Sequence, residues 1–252
     1  MNWLALGVLV LAQIGYPLVQ HRAPLVVATV VLGFTISVTH AVRTRGMWVG
    51  VVLVAVTTGG GLLVEMVGVH TGHPFGGYGY SGALGPRLLG VPLVIPLAWT
   101  WLAWPAWLAA GALTRRLGGA ARSRAGLALR IPLAGLGLAA WDLFLDPQMV
   151  AEGYWHWAHP RPGLPGVAGV PLTNYLGWLL VATLMMAVFA GVAGVRGAGP
   201  GRDGPMFAMY LWTFASSALA HAVLLRLPGS AAWGALGMGL VAVPLAVVLC
   251  RR

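Results

Sequence analysis

Apolar residues occur along this chain in long runs that are separated by short polar segments. Eight of these runs are each long enough to cross about 30 Å of hydrocarbon as a helix. They lie near residues 3–20, 24–42, 47–69, 88–113, 127–146, 172–195, 205–226 and 231–250. The pattern predicts an all-α fold, a polytopic transmembrane helical bundle of about eight spans, with residues 1–252 forming a single integral membrane domain.

Composition and charge agree with this prediction. The chain is 59% hydrophobic and 8% charged, which is too apolar for one soluble core. Its net charge of +10 comes from fifteen arginines and no lysine, and most of them lie in the second, fourth and sixth connections and the C-terminal tail. By the positive-inside rule this distribution predicts a multi-pass protein of the cell membrane with both termini cytoplasmic. Since the arginines sit in short loops between apolar runs, we expect contact with membrane lipid and not with nucleic acid.

Acidic residues are scarce, and three of the five lie inside apolar runs. Asp142 and Asp146 are spaced i,i+4 near the end of the fifth run, so a helix that ends at Pro147 would place both on one face, about 6 Å apart. Glu65 lies about one turn before the end of the third run, and Asn174 opens the sixth. Because the third and fifth spans would run in the same direction, all four residues share one leaflet. An ionisable residue at this depth is a functional-site hypothesis, and the alternative is a polar helix end that faces headgroups.

The two connections on that side of the membrane are unusual. Residues 70–87, the first lid, and residues 147–171, the second lid, are both long and rich in Gly, Pro and aromatic residues. This composition suits ordered lids over a cavity. The alternative is an aromatic belt at headgroup level. Either interpretation would account for the aromatic side chains of Tyr78, Tyr80, Tyr154, Trp155 and Trp157.

Two other patterns are weaker. A glycine pattern at residues 199–204 matches a dinucleotide fingerprint but follows no predicted strand. Two histidine pairs, His70 with His73 and His156 with His159, would need helical backbone to ligate a metal, and nearby Pro and Gly oppose that. We therefore expect neither a nucleotide site nor a metal site.

Two segments of the chain carry specific motifs. Residues 65–99 contain T-G-x-P-F-G-x-Y-x-Y after a Glu, and residues 141–178 contain W-D-x-x-x-D-P and G-V-P-x-x-N-x-x-G-W. These motifs resemble the family of carotenoid-biosynthesis membrane proteins that includes carotenoid 1',2'-hydratases and bisanhydrobacterioruberin hydratase. The resemblance implies a hydratase of acyclic carotenoid ends that needs no redox cofactor, with other enzymes of the carotenoid pathway as partners. It also implies that Glu65, Asp142, Asp146 and Asn174 are functional positions.

Hydration of an isoprene end must begin with protonation of a carbon–carbon double bond to give a tertiary cation, which requires a positioned acid. We expect Asp142, the deeper of the pair, to be the general acid, and Asp146, nearer the mouth, to orient or deprotonate water. Glu65 suits either role, and Asn174 could hold the water. Aromatic faces would stabilise the cation. The expected substrate-binding residues are Asn174, Tyr78, Tyr80, Phe75, His73, Trp99, Trp155 and Trp178.

Four alternatives stay open at this point. A carotenoid cyclase also begins by protonation and differs only in what quenches the cation. A membrane prenyltransferase would use Asp142-x-x-x-Asp146 to bind Mg²⁺ and a diphosphate, although the chain lacks a second Asp cluster. The protein could also be a carotenoid-binding scaffold or a transporter, but a transporter should show an inverted repeat, which the sequence does not.

Overall fold

The computed structural model describes residues 2–116, 124–193 and 202–251. In these residues the chain forms eight helices, so the predicted all-α polytopic bundle is confirmed. They are α1 Asn2–Gly15, α2 Ala23–Arg45, α3 Met47–Thr71, α4 Ile95–Arg116, α5 with two segments Arg124–Ala139 and Asp142–Ala151, α6 Leu172–Ala193, α7 Gly204–Leu224, and α8 Pro228–Cys250. Four short strands accompany them, namely β1 Tyr78–Tyr80, β2 Arg87–Leu88, β3 Val91–Pro92 and β4 Trp155–Trp157.

The helices differ in how they could meet a membrane. Six of those described, α2, α3, α5, α6, α7 and α8, are long and apolar enough to cross it. The first helix is shorter, an apolar stretch over Trp3–Leu18 that ends in a 3₁₀ turn. The fourth is 22 residues long, and its residues from 98 to 114 are all buried. Because neighbouring helices enclose α4 on every side, it can carry tryptophans and small residues in place of a lipid-facing apolar stripe. The cytoplasmic position of the termini stays a prediction.

Two boundaries differ from the sequence prediction. The fourth helix was expected from residue 88 but begins at Ile95, because residues 87–92 form the hairpin of β2 and β3. The fifth was expected to end at Pro147, and that was wrong. Its second segment passes through Pro147 to Ala151. A proline removes the N–H that would bond the carbonyl of Leu143, and the Ser230 hydroxyl from α8 donates to that carbonyl instead, at 2.7 Å.

The C-terminal ends of α1, α3, α5 and α7 lie on one side of the bundle, as their alternating directions predict. Arg22, after α1, forms an ion pair with Glu152, after α5. The strands that follow α3 and α5, β1 and β4, pair antiparallel with Tyr80 opposite Trp155. The indole N–H of Trp233, at the start of α8, donates to a carbonyl of the second lid at 3.0 Å. We call this side the lid face, because both lids are ordered and joined there.

Candidate active site

Two buried aspartates and one amide form the centre of the site. Asp142 and Asp146 lie on the second segment of α5, and Asn174 lies in the first turn of α6. The Asn174 Nδ2 group donates to Asp142 Oδ2 at 2.7 Å and also to Asp146 Oδ2. Trp155 of β4 donates its indole N–H to Asp146 Oδ1 at 3.0 Å. Asp142 Oδ1 is buried and has no hydrogen-bond partner among the described residues. One amide therefore serves both carboxyl groups, and one carboxyl oxygen is left over.

Glu65 on α3 forms a second polar centre with a different supply of donors. Its Oε2 accepts hydrogen bonds from the hydroxyls of Tyr78 at 2.5 Å and Tyr80 at 2.7 Å. Its Oε1 accepts one from the Trp99 indole N–H at 3.2 Å. Burial, with the neighbouring Glu65 carboxyl, raises the pKa of both tyrosines well above the ordinary value. Tyr78 and Tyr80 therefore remain protonated, and all three partners of Glu65 are donors.

A cavity of about 430 Å³ connects the two centres. Glu65, Asp146 and Asn174 all line it, whereas Asp142 is fully buried and is not among the lining residues. The volume is within the range of roughly 300–1,000 Å³ that is usual for small-molecule sites. Most of the wall at this end is aromatic, from Phe75, Tyr78, Tyr80, Trp99, Trp101, Trp141, Phe144, Trp155, Trp157 and Trp178.

The aromatic wall is fixed by close packing against helix backbone. Trp99 and Trp178 stack with ring centroids 3.9 Å apart and planes inclined by 7°. A side-chain carbon at Gly61 would lie only 2.8 Å from the Trp99 ring, so the indole rests directly on α3. At Gly177 it would lie 2.8 Å from the ring of Phe75. Glycine at both positions allows the rings to approach the helices. The cavity thus has rigid, electron-rich walls beside the acids.

The structure brings together most of the residues singled out in the sequence. Those that line the cavity are Glu65, Phe75, Tyr78, Tyr80, Trp99, Asp146, Trp155, Asn174 and Trp178. Asp142 lies behind this lining, bonded to Asn174. His73 lies outside the group, because it is exposed in the turn after α3, where its ring Nδ1 is 3.2 Å from the carbonyl oxygen of Thr71. Of the two aspartates, Asp146 is thus the one on the cavity wall, and Asp142 is the more deeply buried.

Sequence reasoning missed the far half of the cavity. Beyond the acids and the aromatic wall, the lining includes residues of α1, α2 and α7 and Gln148 of α5. One signal was available: Gln13 is a polar residue within the first apolar run, whereas Gln148 falls in the second lid.

The two weaker motifs have different outcomes. His70, His73, His156 and His159 are exposed. Among the described residues, no group of three or more His, Cys, Asp or Glu side chains could hold a metal ion. In the glycine pattern at residues 199–204, Gly199 and Gly201 lie outside the residues that the structure describes.

Fold and site together define a polytopic helical membrane protein with acids gathered in an aromatic cavity, and comparison with known proteins gives its family. Residues 25–244 match the model of the family described as carotenoid biosynthesis protein, and the chain belongs to this family. It is also similar to the bisanhydrobacterioruberin hydratase of Haloarcula japonica, with 39% identity over 127 residues. That match covers 50% of this chain and 40% of the relative, so the chain matches less than half of the curated protein's length. No solved structure matches the chain.

Proposed function

We propose that this protein is a hydratase that adds water across the terminal carbon–carbon double bond of an acyclic carotenoid. The observation that carries the proposal is the aspartate pair, bridged by Asn174, at one end of an apolar aromatic cavity. Family membership supports a carotenoid as the substrate, and the name of the similar archaeal protein supports hydration as the reaction.

The substrate decides what chemistry the site must supply. An acyclic isoprenoid end offers only a double bond, so hydration begins with transfer of a proton to carbon, which leaves a tertiary cation. The donors around the aspartates are the Asn174 amide and the Trp155 indole, and Asp142 Oδ1 receives none from the described residues. Two adjacent anions in apolar surroundings are costly, and a shared proton removes one charge. We therefore assign the proton donor to the pair.

Within the pair, Asp146 has access to the substrate. It lines the cavity, whereas Asp142 does not. We infer that Asp146 delivers the proton to the alkene and that Asp142 shares the proton beforehand. After transfer both carboxyl groups of the pair are anionic, and the pair takes a proton back from the water molecule that attacks the cation. The net reaction converts an alkene and water into a tertiary alcohol. It restores the acid and consumes no oxidant or reductant.

Glu65 and the aromatic walls act on the cation between these two steps. Three donors form hydrogen bonds to the Glu65 carboxyl, and this arrangement favours its anionic form. The same bonds occupy the carboxyl oxygens, which would otherwise be free to attack the cation. The Glu65 carboxyl group lines the same cavity as Asp146. The stacked rings of Trp99 and Trp178 present π-electron density to that space. Glu65 is thus a fixed counter-charge, and the aspartate pair is the acid and base.

The direct test is to express the chain in cells that make an acyclic carotenoid and to identify the pigments by mass spectrometry. We expect a product heavier by one water. A cyclised product of unchanged mass would identify a cyclase, and an unchanged pigment that co-purifies with the protein would identify a binding scaffold. Either result would overturn the proposal.

A further inference from the structure

The cavity continues well beyond the acids. From Asp146 it passes Leu145 and Met149 of α5 and reaches a second end between α1 and α7. The residues that line this end include Gln13, Ile14, Ala215, Ser217, Leu219 and Leu224. The chain therefore encloses one elongated space with an acidic end and a mostly apolar end.

The second end opens to the side of the bundle. Ile14 is 48% exposed, Leu219 62% and Leu224 53%, although all three line the cavity. Leu219 and Leu224 lie on a helix that is long and apolar enough to cross a membrane, so this exposed surface faces lipid. Over the acidic end the lids are joined by β1 and β4, and the Trp157 indole N–H donates to the carbonyl of Phe75 at 2.9 Å. The cavity is thus covered towards the lid face and open towards the bilayer.

The opening and the acids lie at a similar depth. Asp146 is five residues from the end of α5 at Ala151, and Ser217 is seven from the end of α7 at Leu224. At 1.5 Å per residue these positions are about 8 and 10 Å from their helix ends, and both ends lie at the lid face. The cavity therefore runs roughly parallel to the membrane plane, within one leaflet.

Two local features mark the opening. The indole N–H of Trp212 donates to Gln13 Oε1 at 2.8 Å, which joins α7 to α1 beside the cavity. The last turn of α7, Ala220–Leu224, is π-helical. Turns of π-helix are rare in proteins, and those that do occur often lie at functional sites.

We propose that the gap between α1 and α7 is a lateral portal, through which a linear polyene enters from the bilayer and in which its chain lies while its end group is at Asp146. The nature of this ligand rests on the proposed function, whereas the route rests on the cavity. Gln13 and Trp212 line the path of the polyene chain. A polyene has no group that requires water along its length, so a path from lipid to acid suits it.

Cysteine labelling in lipid bilayers tests the portal without any turnover. Cys250 is the single cysteine of the chain and is exposed, so Cys250→Ser gives a clean background. We expect Ser217→Cys in this background to react with a lipid-soluble maleimide about tenfold or more faster than with a charged one, because a charge enters the bilayer at high cost. An acyclic carotenoid should slow that reaction severalfold.

The matched control is Ala232→Cys, which is exposed on α8 and does not line the cavity. It should react with the lipid-soluble maleimide, and carotenoid should not slow it. If carotenoid leaves the rate at Ser217→Cys unchanged, or if the charged maleimide reacts there equally fast, the portal does not exist. Protection without any hydrated product would keep the portal and reject the proposed function.

A bulky residue at the opening gives a second test. Ala215 is exposed and lines the cavity, so Ala215→Trp should obstruct a long chain. We expect it to lower turnover of a full-length carotenoid at least tenfold and to spare a short isoprenoid with the same end group, whereas Ala232→Trp spares both. Equal losses with the long and short substrates, or no loss with either, would contradict the portal.

Discussion

The two acidic centres of the cavity differ in how their oxygens are satisfied. Glu65 receives three hydrogen bonds on one carboxyl group, from two phenols and one indole. Asp142 and Asp146 share one amide, with one indole in addition, and Asp142 Oδ1 receives no bond from the described residues. A well-supplied carboxyl is stable as an anion, whereas a poorly supplied pair favours a retained proton. In the proposed mechanism, this difference makes Glu65 the counter-charge and the aspartate pair the acid.

A buried acid elsewhere in the bundle shows a third arrangement. Asp203 accepts two hydrogen bonds from Arg45, at 2.8 and 3.0 Å, away from the cavity. An arginine neutralises this acid directly, which suits a structural role. In the described part of the chain, neither Glu65 nor the aspartate pair forms such an ion pair. Asp203 is as buried as the acids of the cavity, so the proposed assignment of roles depends on the hydrogen-bond partners of each acid and not on burial alone.

The largest effect is expected when the donor itself is removed. Asp146→Asn should lower turnover by about 10²–10⁴-fold, the usual contribution of a general acid, while the protein still binds carotenoid. Product analysis of matched membranes measures this. Glu152→Gln is the control, because Glu152 lies outside the cavity in an ion pair with Arg22. Normal turnover by Asp146→Asn would remove Asp146 from the mechanism.

The next effect concerns the counter-charge. Glu65→Gln keeps an acceptor for Tyr78 and Tyr80 but removes the negative charge. We expect kcat to fall about 10²-fold, as for loss of one electrostatic contact to a transition state, with little change in KM. Steady-state kinetics on both variants distinguishes this from Asp146→Asn. If Glu65→Gln were as inactive as Asp146→Asn, the assignment of Glu65 as the counter-charge and of the aspartate pair as the acid would be wrong.

A smaller effect is expected at Asp142. Asp142→Asn keeps a partner for Asn174 but removes the carboxyl that shares the proton. We expect a loss of roughly tenfold, or about 1.4 kcal/mol of barrier. Kinetics of the single and double aspartate variants would show strong non-additivity, since both act as one unit. A loss at Asp142 that exceeded the loss at Asp146 would restore the order expected from the sequence.

The smallest change concerns the phenols around Glu65. Because the pKa of Tyr78 and Tyr80 is raised in the folded protein, their contribution to stability is fully present below the ordinary value of 10.0 and is lost as pH rises from there through the raised folded value. We therefore expect neither phenol to ionise near pH 10 while the fold persists. In absorbance titrations, the parent and Tyr78→Phe should therefore give the same phenolate signal near pH 10. A smaller signal from Tyr78→Phe would show that Tyr78 ionises there, which would contradict its buried contact with Glu65.

Much of this site follows from sequence alone, for physical reasons that can be named. Helix direction placed Glu65 and the aspartates in one leaflet, and i,i+4 spacing placed Asp142 and Asp146 together. The continuation of α5 through Pro147 could not be foreseen, because it depends on a hydroxyl from Ser230, which is distant in sequence. Local spacing cannot reveal such a partner.

The composition of the lids suggested a cavity beneath them, but the sequence could not show which residues line it or how far it extends. Which aspartate lines it depends on how α5 resumes at Asp142 after its break. Its far half depends on the packing of α1 against α7, where Gln13 meets Trp212. The exposure of His73 follows from the turn after α3, and its motif position gave no sign of this.

The central claim, that the aspartate pair protonates the alkene and water then captures the cation, is tested most directly by running the reaction in deuterated water. For the parent protein and for Glu152→Gln, the product should be heavier by one water and carry a non-exchangeable deuterium on the carbon beside the new alcohol. Asp146→Asn should form almost none of this product. Hydration at the parental rate by Asp146→Asn, or a parental product without carbon-bound deuterium, would contradict the account.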